Sequence, residues 1–551
     1  MEPKVNTNEA LCASACAPVA PAPVAVVSGE AATPNKPAIK RGRTVTNLAA
    51  NLANFAFGIF VGLWFTPYLI RKLGTASYGL IPLVSQITGY LIVVTILLNN
   101  VVGRYITVAL EQHDHEQANH YFNTAFFGNI CMVMFLVVPA ILAAWNIESL
   151  INLPPGQETP VRWLFACTIT AFFLATIQSP FGVAAFYTNR LDLQSAISLL
   201  QQMARAVLVV GFFSLLGPQV WHVGLAAMLS MCIGWGWSIR IWRRLTPMLR
   251  VSLSHFRLSA LRSLLSTGGW LSLNAVGSIL YLGIDLVVVN RLFGAESSGR
   301  YAVAAQWSGL LRSIATVMAV VFAPTIVYLY ARNEIDELVI YTRRAVRFLG
   351  TAMALPIGLI CGLSEPLLKT WLGPEFADLG WLMSLLTIHL SVNLAVQPLF
   401  NVQTATNRVR VPAIVTILMG AANCGLALFL AGPMRWGVYG VAAAGAIALT
   451  AKNLIFIPLY AAHVLQRSFG IFLREMLPLL LITLGTAATG KLVAAIWDVS
   501  GWLRLGVAGA MLSIIFGAVG YRFILSCEER IMALNGVRSY GCKLGIGRVQ
   551  V

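Results

Sequence analysis

Charged residues are scarce in this chain. Only 11% of its 551 residues are Asp, Glu, Lys or Arg, whereas 58% are hydrophobic and the mean hydropathy is +0.76. Soluble domains devote roughly a quarter of their residues to charge, so this shortage excludes a soluble protein. A chain with so many apolar residues is expected to cross a lipid bilayer several times, as a polytopic membrane protein.

Acidic residues are the rarer of the two charge types. The chain has 21 Asp and Glu against 38 Lys and Arg, which gives a formal net charge of +17. This excess does not predict binding to nucleic acid, because the arginines fall between apolar runs and form no basic stripe with interleaved aromatics. The loop positions of the arginines are instead typical of the positive-inside rule for membrane proteins.

The nine cysteines have neither the spacing of a disulfide framework nor that of a zinc site. The densest group of metal-ligating residue types, around His113 and His115, lies in a polar connection whose counterpart in the second half of the chain has no histidine. A solvated connector is the preferred interpretation of that group. The sequence therefore predicts no metal and no cofactor.

One stretch of the sequence occurs twice. Residues 71–86 and 291–306 share Arg, Gly, Ser, Gly and Gln at equal positions, 220 residues apart. Three shorter matches follow in the same order with a slowly drifting offset. They are Pro154 with Pro374, Thr-Asn-Arg at 188–190 with Thr-Asn-Arg at 406–408, and Gly-Pro at 217–218 with Gly-Pro at 432–433. Four ordered matches predict a duplicated half.

Apolar runs of about 20 residues, enough to cross the hydrocarbon core, recur along the chain and predict about fourteen spanning helices. The predicted fold is an all-α polytopic membrane protein with two six-helix lobes and two additional C-terminal helices. The predicted segments are a disordered Ala/Pro-rich cytoplasmic tail (1–43), an N-lobe (44–242), a basic cytoplasmic linker (243–263), a C-lobe (264–465), two extra spans (466–525) and a cytoplasmic tail (526–551).

Most Lys and Arg residues fall in the loops on the same side as both termini, which predicts that both termini are cytoplasmic. Six crossings separate the first span of one half from the first span of the other. Because six is even, the two halves have the same orientation, and the repeat is parallel rather than inverted. Two lobes that face each other across a central cavity are the expected architecture.

The first span ends in Pro67-Tyr68-Leu-Ile-Arg71-Lys-Leu-Gly74 and is followed by Ser77-Tyr78-Gly79-Leu80. This motif resembles the polysaccharide (O-antigen-type) lipid-linked oligosaccharide flippases of the multidrug/oligosaccharidyl-lipid/polysaccharide (MOP) exporter superfamily. Leu-Gly-Pro-Glu at 372–375 is also similar, and the resemblance covers about residues 44–465. The two extra spans depart from the commonest twelve-span pattern and keep a lipid II flippase-like arrangement open.

The resemblance implies a non-enzymatic flippase in the bacterial inner membrane. Its substrate would be a polyprenyl-diphosphate-linked glycan used in surface polysaccharide biosynthesis, such as lipopolysaccharide or exopolysaccharide. The partners implied are the lipid bilayer, the lipid-linked glycan and polysaccharide polymerase or assembly proteins. No nucleic acid partner is expected.

Charged side chains inside the predicted spans are candidate binding groups, because a charge at mid-span costs about 3 kcal/mol. Arg205, Arg312 and Lys452 lie deep in their spans, and Arg104 lies at the inner end of the second span. Arginine bonds two phosphate oxygens at once, so these cations are candidates to hold the diphosphate. Snorkelling to the interface or internal pairing is the alternative for each of them.

Polar residues inside the spans are candidates for contacts with sugar hydroxyls. They are Asn47, Asn51 and Asn54 on one face of the first span, Asn274 in the seventh span, and His389, Asn393 and Gln397 along the tenth. Polar faces of this kind equally hold membrane helices together. Asp285, the one deep acid, is a candidate for proton or sodium coupling, or else a structural partner of Arg291 or of a neighbouring arginine.

Three other functions stay open on the sequence alone. A drug or organic-cation exporter would share the lobes but is expected to have acids in its cavity, and deep cations outnumber deep acids here three to one. A membrane glycan polymerase or glycosyltransferase needs a sizeable outer loop, and the outer loops here, such as 147–160, are short. A non-transporting lipid scaffold is the third.

Overall fold

The computed structural model describes residues 41–523. Within them, the side chains of residues 41–42, 44–45, 97, 100, 266–275, 280–281 and 523 lie outside the description. The predicted tails at 1–43 and 526–551 fall outside the described residues, except for 41–43, which begin the first helix. The described residues form helices and short connections without a strand, which confirms the predicted all-α class.

The described residues contain 21 α-helices, nine of them in the first half of the chain. They are α1 (Arg41–Leu73), α2 (Thr75–Gly89), α3 (Ile92–Glu111), α4 (His115–Trp145), α5 (Ile147–Leu150), α6 (Glu158–Gln178), α7 (Val183–Tyr187), α8 (Leu191–Leu215) and α9 (Val220–Leu245).

The second half and the C-terminal region contribute twelve more. They are α10 (Leu258–Val320), α11 (Ala323–Ala331), α12 (Ile335–Gly362), α13 (Ser364–Trp371), α14 (Gly380–Ile388), α15 (Leu390–Asn393), α16 (Gln397–Ala405), α17 (Arg410–Ala431), α18 (Gly437–Thr450), α19 (Ile457–Val464), α20 (Leu473–Ile496) and α21 (Trp502–Phe523).

Twelve helices of the described part are long and apolar enough to cross a membrane, or thirteen if the bent pair Pro374–Asn393 and Gln397–Ala405 forms one span. The predicted count of about fourteen is reached when the bent pair forms one span and the stretch Val276–Ala331 forms two. The seventh and eighth predicted spans are joined in Val276–Ala331, a stretch of 56 residues. At about 1.5 Å per residue this stretch is more than twice as long as the hydrocarbon core is thick. It bends at Gly294, where φ is 84°.

The backbone turns in the same way at matched positions of the two repeat copies. Gly74 and Gly294 both have positive φ, 80° and 84°, a conformation that glycine adopts without a steric penalty. Two further pairs at or near the repeat spacing also have positive φ: His113 (59°) with Asn333 (61°), and Asn189 (51°) with Asn407 (54°). These paired turns support the predicted duplication.

The two halves meet backbone to backbone where the repeat copies touch. A β-carbon on Gly79 of α2 would lie 2.5 Å from the Cα of Gly299 in α10. A β-carbon on Gly299 would lie 2.2 Å from the carbonyl oxygen of Thr75. Because no side chain fits in either place, these two glycines permit the close approach of α2 and α10.

Two glutamines at the repeat spacing make reciprocal contacts across the halves. Gln86 of the first half fills the space beside Gly283, so that a β-carbon there would lie 1.9 Å from its Nε2. Gln306 of the second half donates from Nε2 to the carbonyl oxygen of Gly62 at 3.1 Å. Each glutamine therefore packs on a glycine of the opposite half, which is the exchange of contacts that a twofold axis produces.

Because successive spans run in opposite directions, their connections fall on two faces of the molecule. We call one the basic face; its connections are 112–114, 188–190, 246–257, 332–334, 406–409 and 465–472. We call the other the glycine face; its connections are Gly74, 146–157, 216–219, Gly294, 372–373, 432–436 and 497–501.

Hydrogen bonds join the two halves on the glycine face. Asn290 Oδ1 accepts from the backbone N–H of Asn152 at 2.8 Å, and Asn152 Nδ2 donates to the carbonyl oxygen of Asn290 at 2.9 Å. Trp371 Nε1 also donates to the carbonyl oxygen of Leu63 at 2.8 Å. These contacts connect the two halves on the side of the glycine face.

The connection between the halves, 246–257, is bound to α4 by side-chain amides. Asn119 accepts from the N–H of Arg250 and donates to the carbonyl oxygen of Met248, at 2.8 and 3.0 Å. Asn123 repeats this pattern one step on, accepting from Ser252 N–H at 2.8 Å. The side-chain amides of Asn119 and Asn123 thus provide hydrogen-bond partners for backbone N–H and C=O groups of this connection.

An ion-pair clamp attaches the C-terminal helix pair to the second half. The buried Glu475 of α20 contacts Arg343 and Arg347 of α12, at 2.5 and 2.6 Å. Farther along, Gly362 and Gly490 let the same two helices approach closely, since a β-carbon on Gly362 would lie 2.9 Å from the Cα of Gly490. The extra helices are thus integrated with α12.

Candidate binding cavities

Two cavities lie on two sides of α2. Ile81 and Ser85 line the first, with a volume of about 400 Å³, which we call the N-half cavity. Pro82 and Gln86 line the second, with a volume of about 330 Å³, which we call the C-half cavity. Neighbouring residues of a helix point about 100° apart, so the single helix α2 contributes to both walls.

Arg205 of α8 lines the N-half cavity together with polar residues of α6, α8 and α9. Its Nε is buried and has no hydrogen-bond partner among the residues that the structure describes. A buried guanidinium N–H without a partner is costly. An anionic ligand that reaches Arg205 would satisfy this group.

The C-half cavity contains Asp285, Arg312 and His389, three of the residues that the sequence analysis singled out. The carboxylate of Asp285 accepts from the hydroxyl of Tyr301 at 3.3 Å and from Nδ2 of Asn423 at 3.2 Å. A β-carbon on Gly445 would lie 3.2 Å from Asp285 Oδ2. This glycine therefore leaves room beside the carboxylate for a small ligand or ion.

The four predicted cations do not converge. Arg205 and Arg312 line different cavities. Lys452 lines neither of them: it is buried in a π-helical turn, Ala451–Phe456, and its Nζ lies 5.6 Å from the centre of the Phe400 ring. Arg104 is exposed and lines neither cavity.

The structure does not contain the ion pair between Asp285 and Arg291 that we considered as one alternative. Arg291 is exposed near the glycine face, and its carbonyl oxygen accepts from Asn152. The Asp285 carboxylate accepts hydrogen bonds from Tyr301 and Asn423 instead. Asp285 is therefore hydrogen-bonded rather than paired with that arginine.

The polar residues of the first span have separate roles. Asn47 donates to the side chain and carbonyl of Asn189 and accepts from the N–H of Asp192, which fixes α1 to the start of α8. Asn54 accepts from Gln202 Nε2 at 3.0 Å. Asn51 is exposed.

The predicted stripe along the tenth span also divides. Asn393 donates to His389 at 2.8 Å and to Thr450 at 3.3 Å, and so connects α15 to α18. Gln397 is half-buried and lines neither cavity. The side chain of Asn274 lies outside the described residues.

The sequence analysis missed several polar residues of the N-half. A further cavity of about 250 Å³ adjoins the N-half cavity, and we call it the annex; both are lined by Ala175, Ser198, Gln201 and Met231. Gln194, Ser198 and Gln201 precede Arg205 at helical spacing on α8. This periodicity is present in the sequence, but the predicted sugar contacts were those of the first, seventh and tenth spans.

The fold is shared with known transporters. The inward-facing structure of a multidrug resistance MATE family transporter of the MOP superfamily superimposes with a TM-score of 0.61 at 15% identity, covering 77% of this chain and 99% of that one. The lipid II flippase MurJ, in an inward closed conformation, also gives 0.61 at 13% identity, covering 87% and 98%. This chain is a multi-pass membrane protein with the MOP-superfamily fold.

Sequence comparison identifies the family. Residues 47–329 match the family described as polysaccharide biosynthesis protein. EpsK of Bacillus subtilis (strain 168), described as an uncharacterized membrane protein, is 33% identical over 492 residues, which are 89% of this chain and 97% of that protein. The chain belongs to the polysaccharide biosynthesis protein family, and the predicted family is confirmed.

Proposed function

We propose that this protein is a flippase that moves a polyprenyl-diphosphate-linked oligosaccharide from the cytoplasmic to the periplasmic leaflet of a bacterial inner membrane. In this proposal the basic face is cytoplasmic, as the positive-inside rule favours, and the termini are cytoplasmic too. The glycan serves surface polysaccharide biosynthesis, and assembly proteins receive it outside.

The buried, unpartnered Nε of Arg205 in the N-half cavity is the observation that carries this proposal. A diphosphate supplies several anionic oxygens, and a guanidinium binds two of them in one plane. Arg312 is the second candidate, but it shares its cavity with the carboxylate of Asp285, which offsets its charge. We therefore assign the main phosphate contact to Arg205.

Transport in this scheme begins with the glycine face closed by Asn152, Asn290 and Trp371. The headgroup enters from the basic face while the prenyl chain stays in lipid. Moving one charge through 100 mV is worth about 2.3 kcal/mol. Because the cell interior is negative, an anionic headgroup is driven outward by the membrane potential.

Asp285 supports a second element of the proposal, coupling to a proton or sodium ion. Its carboxylate lies beside the space at Gly445 and is held by Tyr301 and Asn423. Carboxylate, amide and phenol oxygens are hard ligands that suit such ions. Binding there would bias the two halves between their inward and outward arrangements.

The test is a flipping assay in proteoliposomes with a fluorescent polyprenyl-diphosphate sugar. Arg205→Ala is compared with Arg162→Ala, a control in the same half whose surface ion pair with Glu148 contributes little. We expect wild type and the control to flip the lipid and Arg205→Ala to lose most of its activity. A folded Arg205→Ala variant with full activity would place the phosphate contact elsewhere.

A drug exporter is the second candidate, because the MATE transporter has the same fold. The same vesicles, loaded with a fluorescent organic cation, distinguish the two functions. Efflux of the cation without movement of the lipid-linked sugar would replace the flippase proposal.

A further inference from the structure

The annex next to Arg205 is lined by uncharged residues, several of which are polar. On α8, Gln194, Ser198 and Gln201 face it, and the opposite wall contributes Gln178 and Ser238. None of the residues that line the annex is Asp, Glu, Lys, Arg or His. Amides and hydroxyls each offer both donors and acceptors, which is the mixture that sugar hydroxyls match.

These residues follow one line from the basic face toward Arg205. Gln194, Ser198 and Gln201 lie 11, 7 and 4 residues before Arg205, which corresponds to about 16, 10 and 6 Å along the helix axis. Spacings of three and four residues keep side chains on one face of a helix. A ligand whose phosphate contacts Arg205 would therefore extend past the other three.

The side chain of Gln201 packs against α9 at Gly234. A β-carbon on Gly234 would lie 2.0 Å from Gln201 Nε2, so this glycine provides the space in which the amide sits. Among the residues that the structure describes, the amide donates one weak hydrogen bond, to Met231 Sδ at 3.4 Å. The amide is thus positioned by packing, while most of its hydrogen-bonding capacity remains for a ligand.

We propose that the annex binds the sugars nearest the diphosphate and selects uncharged ones. This inference depends on the proposed flippase function and adds the chemical class of the glycan. A carboxylate on one of these sugars would enter a site without a cation, and burying an unpaired charge is far more costly than burying a hydroxyl. A hydroxyl would instead exchange hydrogen bonds with Gln201, Gln194 or Ser198.

The experiment compares two fluorescent polyprenyl-diphosphate lipids in proteoliposomes, one with a hexose and one with the corresponding hexuronic acid. We expect wild type to flip the hexose lipid at least tenfold faster. Gln201→Leu, which keeps the side-chain volume, should reduce hexose transport severalfold. Gln194→Lys, which adds a cation to the annex, should raise transport of the uronate lipid. Gln112→Ala, an exposed glutamine outside the cavities, is the matched control.

The outcomes separate this inference from the function on which it depends. If both lipids move at equal rates and Gln201→Leu has no effect, the annex does not select sugars, although the flippase function stands. If wild type moves neither lipid, the flippase proposal itself fails. Gly234→Ala provides a second variant that displaces Gln201 without removing it, and it should reproduce the loss seen with Gln201→Leu.

Discussion

The N-half and C-half cavities occupy related places in a duplicated chain but have different chemistry. Between the Thr-Asn-Arg and Gly-Pro matches the repeat offset falls from 218 to 215, so Arg205 corresponds to residues 420–423 of α17. That turn contains Asn423, which donates to Asp285. One half thus presents an unpartnered cation, and the other presents a hydrogen-bonded carboxylate. In the proposed function, the N-half cavity would bind an anion and the C-half cavity a cation.

The substitution with the largest expected effect, at Arg205, tests which half binds the anion. Arg205→Gln should reduce flipping of a polyprenyl-diphosphate sugar about a hundredfold, because charge-assisted hydrogen bonds contribute about 1.5–3 kcal/mol each. Arg312→Gln should reduce it by only about threefold, since Asp285 already offsets that charge. Initial rates in proteoliposomes measure both. Equal losses in the two variants would mean that the phosphate bridges both halves.

A second prediction concerns the contact between the halves. Gly79→Val would place a branched side chain against the backbone of Gly299, at a point where a β-carbon would already lie 2.5 Å away. Overpacking of this kind costs about 1–3 kcal/mol, so the thermal midpoint in detergent should fall by several degrees. Gly89→Val, at a position with open space around the added β-carbon, is the control. An unchanged midpoint in Gly79→Val would show that the halves do not touch there.

The third prediction addresses the cation side of the comparison. Asp285→Asn keeps the shape of the side chain but removes its charge. The flipping rate in the presence of a sodium or proton gradient should therefore fall about tenfold, to the rate measured without that gradient. Transport driven by membrane potential alone should persist. Flipping rates with and without each gradient measure this. Full gradient dependence in Asp285→Asn would assign coupling to another group.

The smallest effect is expected at the closure of the glycine face. Asn290→Ala removes the two bonds that the Asn290 side chain makes with the backbone of Asn152, one accepted by Oδ1 at 2.8 Å and one donated by Nδ2 at 3.2 Å, each with a net value of about 1 kcal/mol. A cysteine introduced at Ser85, in the wall of the N-half cavity, should then react severalfold faster with an impermeant maleimide added outside. Unchanged labelling would indicate that Trp371 and the glycine contacts suffice to keep this face closed.

Much of this architecture could be predicted from sequence, because hydropathy and the repeat spacing are properties of the chain itself. The apolar runs predicted the spans, and the shared residues of 71–86 and 291–306 predicted the matched turns at Gly74 and Gly294. The two spans within α10 are divided at Gly294, whose backbone is not helical, as the repeated glycines predicted.

The site was harder to predict for a different physical reason. Depth along a helix can be counted from the sequence, but the direction of a side chain depends on which neighbours surround that helix. Arg205 and Arg312 are both deep, yet they line different cavities. Asn47 lies on a polar face, but its side chain is hydrogen-bonded to Asn189 and Asp192. Gln194, Ser198 and Gln201 also recur at helical spacing on α8, but the spacing does not show that this face borders a cavity.

The meeting of Gly79 and Gly299 has a mechanical consequence. Between these two backbones there are no interlocking side chains to oppose a rotation, so we expect the two halves to rotate about this contact during transport. Gly79 lies only four residues after Thr75, where α2 begins on the glycine face. A lever pivoted near one end moves least at that end and most at the other. A rotation about Gly79 and Gly299 would therefore displace the helix ends at the basic face farther than those at the glycine face.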